Sequence, residues 1–205
     1  VFLLLPYLLY KKSMAIKKQY WHWYALRSLV FFFGIFVWLS ILKYVNLSDL
    51  YAVGFTAPLF ATIMAVFFLK ERFSKYNLLG LIGGFVGAMI VIRPGLRLMH
   101  PAIFLAFFCA FNWGAAMVLT SLLSKNQSHI KLTFYLSLSF IPICIVPSIM
   151  NWFHLSLIQW GVVFILVVTT LVSNLAILAA FKYASLSFLM PFDFTSLIFS
   201  ATLGW

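Results

Sequence analysis

Apolar residues run along this chain in long unbroken stretches separated by short polar linkers. Seven stretches, at about 24–42, 48–69, 76–92, 102–123, 132–150, 160–181 and 186–205, approach the roughly 20 apolar residues that a helix needs to cross a bilayer. Residues 1–10 read as the tail of an eighth span. The linkers are too short to hold a soluble domain. A transmembrane β-barrel would show short segments of alternating polarity, whereas these runs are continuous. Backbone groups in hydrocarbon must be satisfied within their own segment, which leaves helices. The pattern predicts an all-α integral membrane protein that crosses the bilayer many times. Val1 and Trp205 both fall in apolar stretches, so the sequence reads as cut through a span at each end.

Composition points the same way. Of 205 residues, 65% are hydrophobic and 8% charged, against about 25% charged in a soluble domain. The carboxylates are Asp49, Glu71 and Asp193, so the net charge of +11 comes from 14 Lys and Arg. These cations sit in short clusters between apolar runs, which excludes a nucleic-acid partner and reads as cytoplasmic loop charge. One set of alternate linkers holds Lys11, Lys12, Lys17, Lys18, Lys70, Arg72, Lys75, Lys125, Lys131 and Lys182, with Arg27 just inside a span. The other set holds Lys43, Arg93 and Arg97. Eleven against three puts the first set in the cytoplasm. Cys109 and Cys144 read as small buried apolar residues. His22, His100, His129 and His154 are dispersed in or near loops, so no metal site and no cofactor is expected.

An internal repeat is visible at a shift of 139 residues. Lys43-Tyr44 falls on Lys182-Tyr183, Leu47-Ser48 on Leu186-Ser187, and Phe55-Thr56 on Phe194-Thr195. Matches of Leu or Phe between apolar segments are common, so the Lys, Tyr, Ser and Thr matches carry the argument. Five spans separate the two copies, and an odd number makes them enter from opposite faces. Inverted repeats of this kind expose one central site to each side of a membrane in turn.

The stretch from Asp49 to Gly95 resembles the drug/metabolite transporter superfamily in its EamA-type branch. The residues that carry the likeness are a span with Pro58, the exit Leu69-Lys70-Glu71-Arg72-Phe73, a Gly-rich span from Gly80 to Gly87 and the ending Ile92-Arg93-Pro94-Gly95. The Asn112-Trp113-Gly114 opening of the second half is similar too. The resemblance implies two inverted five-helix repeats, a ten-helix bundle when complete, with about seven full spans and a partial one in this sequence. Residues 1–95 would be the first EamA-type repeat, incomplete at its N-terminus, and 102–205 the second, incomplete at its C-terminus. One departure concerns the ninth helix, where Leu197 stands at the place matching Pro58 and Pro191 lies earlier.

Asp193 is the most informative candidate. It lies seven positions into its span, roughly 10–16 Å deep at 1.5 Å per residue. An intramembrane carboxylate is a functional hypothesis by default, here for a cationic group or a coupling proton. The plainer reading is a carboxylate paired within the bundle. Pro58 and Pro191 each remove a backbone donor, so freed carbonyls can face a solute, or the prolines are simply structural. Thr56, Asn112, Asn174 and Thr195 can line a cavity, or make ordinary helix–helix hydrogen bonds. Trp113 can stack on a planar or cationic solute. Glu71 reads as structural, an interfacial ion-pair anchor beside Lys70 and Arg72, with a gate contact as the alternative. Gly80, Gly84 and Gly87, with Gly83, form two overlapping GxxxG frames for close packing in the bundle, or for a homodimer.

These readings converge on a secondary carrier of a small organic solute, working by alternating access between the repeats in a bacterial inner membrane. The resemblance extends to S-adenosylmethionine uptake carriers. Two other classes stay open at this stage, a membrane-embedded transferase and a non-transporting scaffold. Catalysis is not expected, because neither Asp49 nor Asp193 has a His beside it.

Overall fold

The computed structural model describes residues 20–72, 74–92, 100–125, 127–150, 156–196 and 199. All regular structure among them is helical. The helices are α1 (Trp21–Ile41), α2 (Leu47–Gly54), α3 (Ala57–Leu69), α4 (Lys75–Ile92), α5 (Ile103–Ser124), α6 (His129–Met150), α7 (Leu157–Tyr183) and the single turn α8 (Leu186–Leu189). A 3₁₀ segment, Met190–Phe194, continues from α8. Among the described residues, four helical stretches are long and apolar enough to cross a membrane: Trp21–Ile41, Asp49–Leu69, Ile103–Ser124 and Leu157–Tyr183. The protein is therefore an integral, multi-pass membrane protein.

The span expected at 48–69 is broken. α2 ends at Gly54, and α3 begins afresh at Ala57. Pro58 is the cause. It occupies the first turn of α3, where a helix needs no N–H, and it cannot donate to the carbonyl of Gly54 one turn earlier. The proline thus interrupts the hydrogen-bond ladder within the one span Asp49–Leu69, whose backbone stays in the right-handed helical region at Phe55 and Thr56. The last span changes character in the same way, tightening into the 3₁₀ segment at Met190 with Pro191 in its first turn. Leu197 and residues 200–205 lie outside the described residues, as does the Arg93–Gly95 ending of the first half.

Helix α5 is the hub. It packs against α1, α2, α3, α6 and α7. Its contact with α3 is built from small residues at four-residue spacing, which share one face of a helix. Ala57, Ala61 and Ala65 on α3 are buried, as are Ala106, Ala110 and Gly114 on α5. A methyl group added at Gly114 would lie 2.8 Å from the backbone nitrogen of Ala61 and 3.0 Å from the carbonyl oxygen of Ala57. Only the absence of a side chain lets the two backbones meet there, the usual basis of tight association in lipid. Helix α7 has the opposite character. Residues 157–170 are all exposed, including Val162, Phe164, Ile165 and Leu166. A surface this apolar is at home only against acyl chains.

The glycines of α4 divide by face. Methyl groups at Gly80 and Gly84 would strike Pro191 and Phe194, the latter at 2.6 Å from the ring Cγ. Gly83 and Gly87 have open space around them. One small-residue frame is thus the groove that receives the 3₁₀ segment, and the other faces away from the described residues.

Glu71 has a role its sequence neighbours do not suggest. Lys70 ends α3 in the left-handed conformation, with φ 53°, and turns the chain so that Glu71 reaches the start of α8. The Glu71 carboxylate accepts hydrogen bonds from the backbone N–H of Leu186 (3.1 Å) and Ser187 (2.9 Å) and from the Ser187 hydroxyl (2.8 Å). Lys125 lies 3.8 Å away. Glu71 is therefore a helix cap supplied from a distant segment, and not an anchor paired with Lys70 or Arg72. The free N–H groups and positive end of α8 supply the attraction.

Candidate functional site

A cavity of about 580 Å³ lies between the helices. One wall comes from α1, with Arg27, Phe31 and Trp38. The ends of the broken span contribute Tyr51, Gly54, Phe55 and Ala57. Helix α5 adds Trp113, Met117 and Thr120, and α6 adds Thr133, Ser137 and Phe140. The remaining wall is Thr170, Asn174 and Phe181 of α7, with Asp193 of the 3₁₀ segment.

Three of the eight predicted binding candidates line this cavity: Asp193, Trp113 and Asn174. Asp193 is exposed, and among the described residues its carboxylate has neither a cation nor a hydrogen-bond donor. The Ser196 hydroxyl reaches only its backbone carbonyl, at 2.6 Å. The paired carboxylate of the plainer sequence reading is thus absent among these residues. Trp113 packs against Trp38 with ring centroids 4.8 Å apart and planes inclined by 48°. Gly34 makes room for it, because a methyl there would sit 3.1 Å from Trp113 Nε1. The Asn174 amide donates to the Thr170 carbonyl at 2.9 Å, which leaves its own carbonyl oxygen free to accept.

The other five candidates are elsewhere. Pro58 is fully buried at the start of α3, although Gly54, whose carbonyl it cannot satisfy, does line the cavity. Pro191 sits against Gly80. Thr56 donates to the Val53 carbonyl at 2.6 Å, Asn112 to Phe108 at 2.7 Å and Thr195 to Phe192 at 2.7 Å. These side chains bond back to nearby carbonyls of their own segments and do not make the interhelical bonds that were the alternative, and none of the three lines the cavity. The interhelical polar contacts are different ones. Ser28 and Ser139 join α1 to α6 at 2.6 Å, and Arg27 joins α1 to α5 through Thr120.

Arg27 is the cavity residue that was counted only as cytoplasmic charge, just inside a span. It was grouped with the loop cations because it follows a basic linker. The helix begins at Trp21, however, so Arg27 is already in the second turn and lies in the cavity wall. The signal was available: it is the one cation within the stretch 24–42.

Comparison with known proteins gives consistent results. Residues 1–93 match the EamA-like transporter family. The chain is 30% identical to a riboflavin transporter of Vibrio cholerae, over 100% of this chain and 70% of that protein. A riboflavin transporter of Brucella anthropi is 24% identical, over 99% of this chain and 74% of that protein. An S-adenosylmethionine uptake transporter of Rickettsia bellii is 25% identical, over 97% of this chain and 68% of that protein. A solved crystal structure superposes with a TM-score of 0.73 at 16% identity, covering 97% of this chain and 74% of that one. At that identity the likeness is one of fold alone. The relatives named here are transporters and not enzymes.

Proposed function

Because the chain belongs to the EamA-like transporter family of the drug/metabolite transporter superfamily, we propose that it is a secondary carrier of a small organic metabolite, binding it in the cavity between α1, α5, α6, α7 and the broken spans. Asp193 is the group that takes a cationic part of the solute or a coupling proton. The observation that carries this reading is an unpaired carboxylate in the wall of an aromatic cavity inside a membrane protein. A charge in such a place is costly and is by default the mark of a functional site.

Alternating access is the mechanism that fits, with residues 1–95 and 102–205 as two inverted repeats. The 139-residue register of Lys-Tyr, Leu-Ser and Phe-Thr pairs supports it. So does the interruption of one span at Gly54 and of the other at Met190, since broken helices are where carriers place their binding groups. The bacterial relatives support an inner-membrane location. The outward frame of Gly83 and Gly87 is the surface on which a homodimer would form.

Riboflavin and S-adenosylmethionine, the solutes of the relatives, each join a fused nitrogen heteroaromatic ring to a hydroxylated chain or sugar. The Trp38–Trp113 wall suits the ring in either case. Proteoliposome uptake of radiolabelled riboflavin and S-adenosylmethionine, with and without an imposed proton gradient, is the test. Asp193→Asn should abolish uptake or uncouple it from the gradient. Full, gradient-driven uptake by the variant would remove Asp193 from the mechanism.

A further inference from the structure

Arg27 is held in a way that leaves its most useful atoms unengaged. Its Nε donates to Thr120 Oγ1 at 3.1 Å. That hydroxyl gives its own proton to the Ala116 carbonyl at 2.6 Å, so a lone pair is fixed toward the guanidinium. The guanidinium carbon lies 4.7 Å from the centre of the Phe31 ring and 5.9 Å from that of Phe140. Aromatic faces and one hydrogen bond thus orient the plane of the group. Among the described residues the terminal nitrogens have no hydrogen-bond partner, and no carboxylate lies within ion-pair distance. Asp193 lines the same cavity without pairing to Arg27.

We infer that Arg27 is a specificity-determining residue whose terminal nitrogens dock an acceptor edge, such as a carboxylate or a ring carbonyl with the ring nitrogen beside it, of a planar heteroaromatic solute lying against Trp38 and Trp113. The inference rests on the carrier reading for the place of binding but concerns the chemistry of recognition. A guanidinium presents parallel N–H groups that match two adjacent acceptor atoms, the oxygens of a carboxylate or a carbonyl oxygen and its neighbouring ring nitrogen, which an ammonium cannot do. In a cavity of low polarity a charged donor with no partner attracts such an edge strongly. Thr120 acts as a positioning residue, because it touches Arg27 and leaves the fork free.

The test separates binding from transport. Equilibrium dialysis of the detergent-purified protein would measure affinity for lumichrome, a neutral planar dione, for orotate, a planar anion, and for benzamidine, a planar cation. Uptake of riboflavin by proteoliposomes would be followed in parallel. Wild type should bind lumichrome and orotate through Arg27, and benzamidine independently of it, since Asp193 lines the same cavity. Arg27→Met should weaken lumichrome and orotate about tenfold or more and leave benzamidine unchanged or tighter. Arg27→Lys should recover orotate better than lumichrome, since the charge survives and the fork does not. Thr120→Val, a near-isosteric change, should weaken the same two ligands by a smaller factor, and it serves if Arg27→Met does not fold. For riboflavin uptake the loss should appear in KM more than in kcat. Unchanged affinity of Arg27→Met for lumichrome and orotate, an absence of their binding to wild type, or an equal loss for all three probes would overturn the inference. Arg27-dependent binding without uptake would instead count against the carrier reading and leave the recognition role standing.

Discussion

At the scale of single residues, the contacts that decide this protein are made by what is missing as much as by what is present. Gly84 admits the Phe194 ring, and Gly114 admits the backbone of α3. Gly84→Ala should lower stability by about 1–3 kcal/mol, as overpacking does, with the melting temperature in detergent as readout. Gly87→Ala meets open space and should be neutral or slightly stabilising. Equal effects of the two would show that the α4 groove does not hold the 3₁₀ segment. The same scale explains what the chain's letters disclosed about the site. Asp193, Trp113 and Asn174 stood out as polar or amphipathic groups in apolar runs, and they line the cavity. Thr56, Asn112 and Thr195 stood out equally, but a hydroxyl or amide can satisfy itself on its own helix, and nothing in the spacing tells the two cases apart. Trp38, Tyr51 and Phe140 were not legible at all, because helices apolar on every face carry no mark of the face turned inward.

Among elements, the spans were the most legible feature. Lipid demands long continuous apolar helices, so α1, α5 and α7 fall within about three residues of their expected bounds. The break in the 48–69 stretch followed from Pro58, although its form, an interrupted ladder within one span, depended on where the proline falls in the turn. The capping of α8 was not legible. Glu71 and Ser187 are 116 residues apart, and only the packing of α3 beside α8 brings them together. Glu71→Ala should destabilise the protein by about 0.5–2 kcal/mol, the range for a lost cap, with Glu71→Gln intermediate. Lys125→Ala should change stability by less than about 1 kcal/mol, because the 3.8 Å pair is half-exposed on the lysine side. Thermal melts of the three variants would check the order. A larger effect at Lys125 than at Glu71 would make the contact an ion pair first and a cap second.

For the whole molecule, the arrangement to be tested is opposition of the two halves. With Cys109 and Cys144 replaced by Ala, Lys43→Cys should react with a membrane-impermeant maleimide applied to intact cells, and Lys182→Cys should react only after permeabilisation. Labelling of both from the same side would end the inverted-repeat reading. On this orientation α1 and α8 both begin at the cytoplasmic face, so Arg27 and Asp193 stand on the cytoplasmic side of the cavity. The Trp38–Trp113 contact has one further consequence, which is optical. Two indoles 4.8 Å apart and inclined by 48° couple their electronic transitions and produce a paired circular-dichroism band. A molecule seated against them alters that splitting, so the protein carries its own unlabelled spectroscopic gauge of whether the cavity is filled.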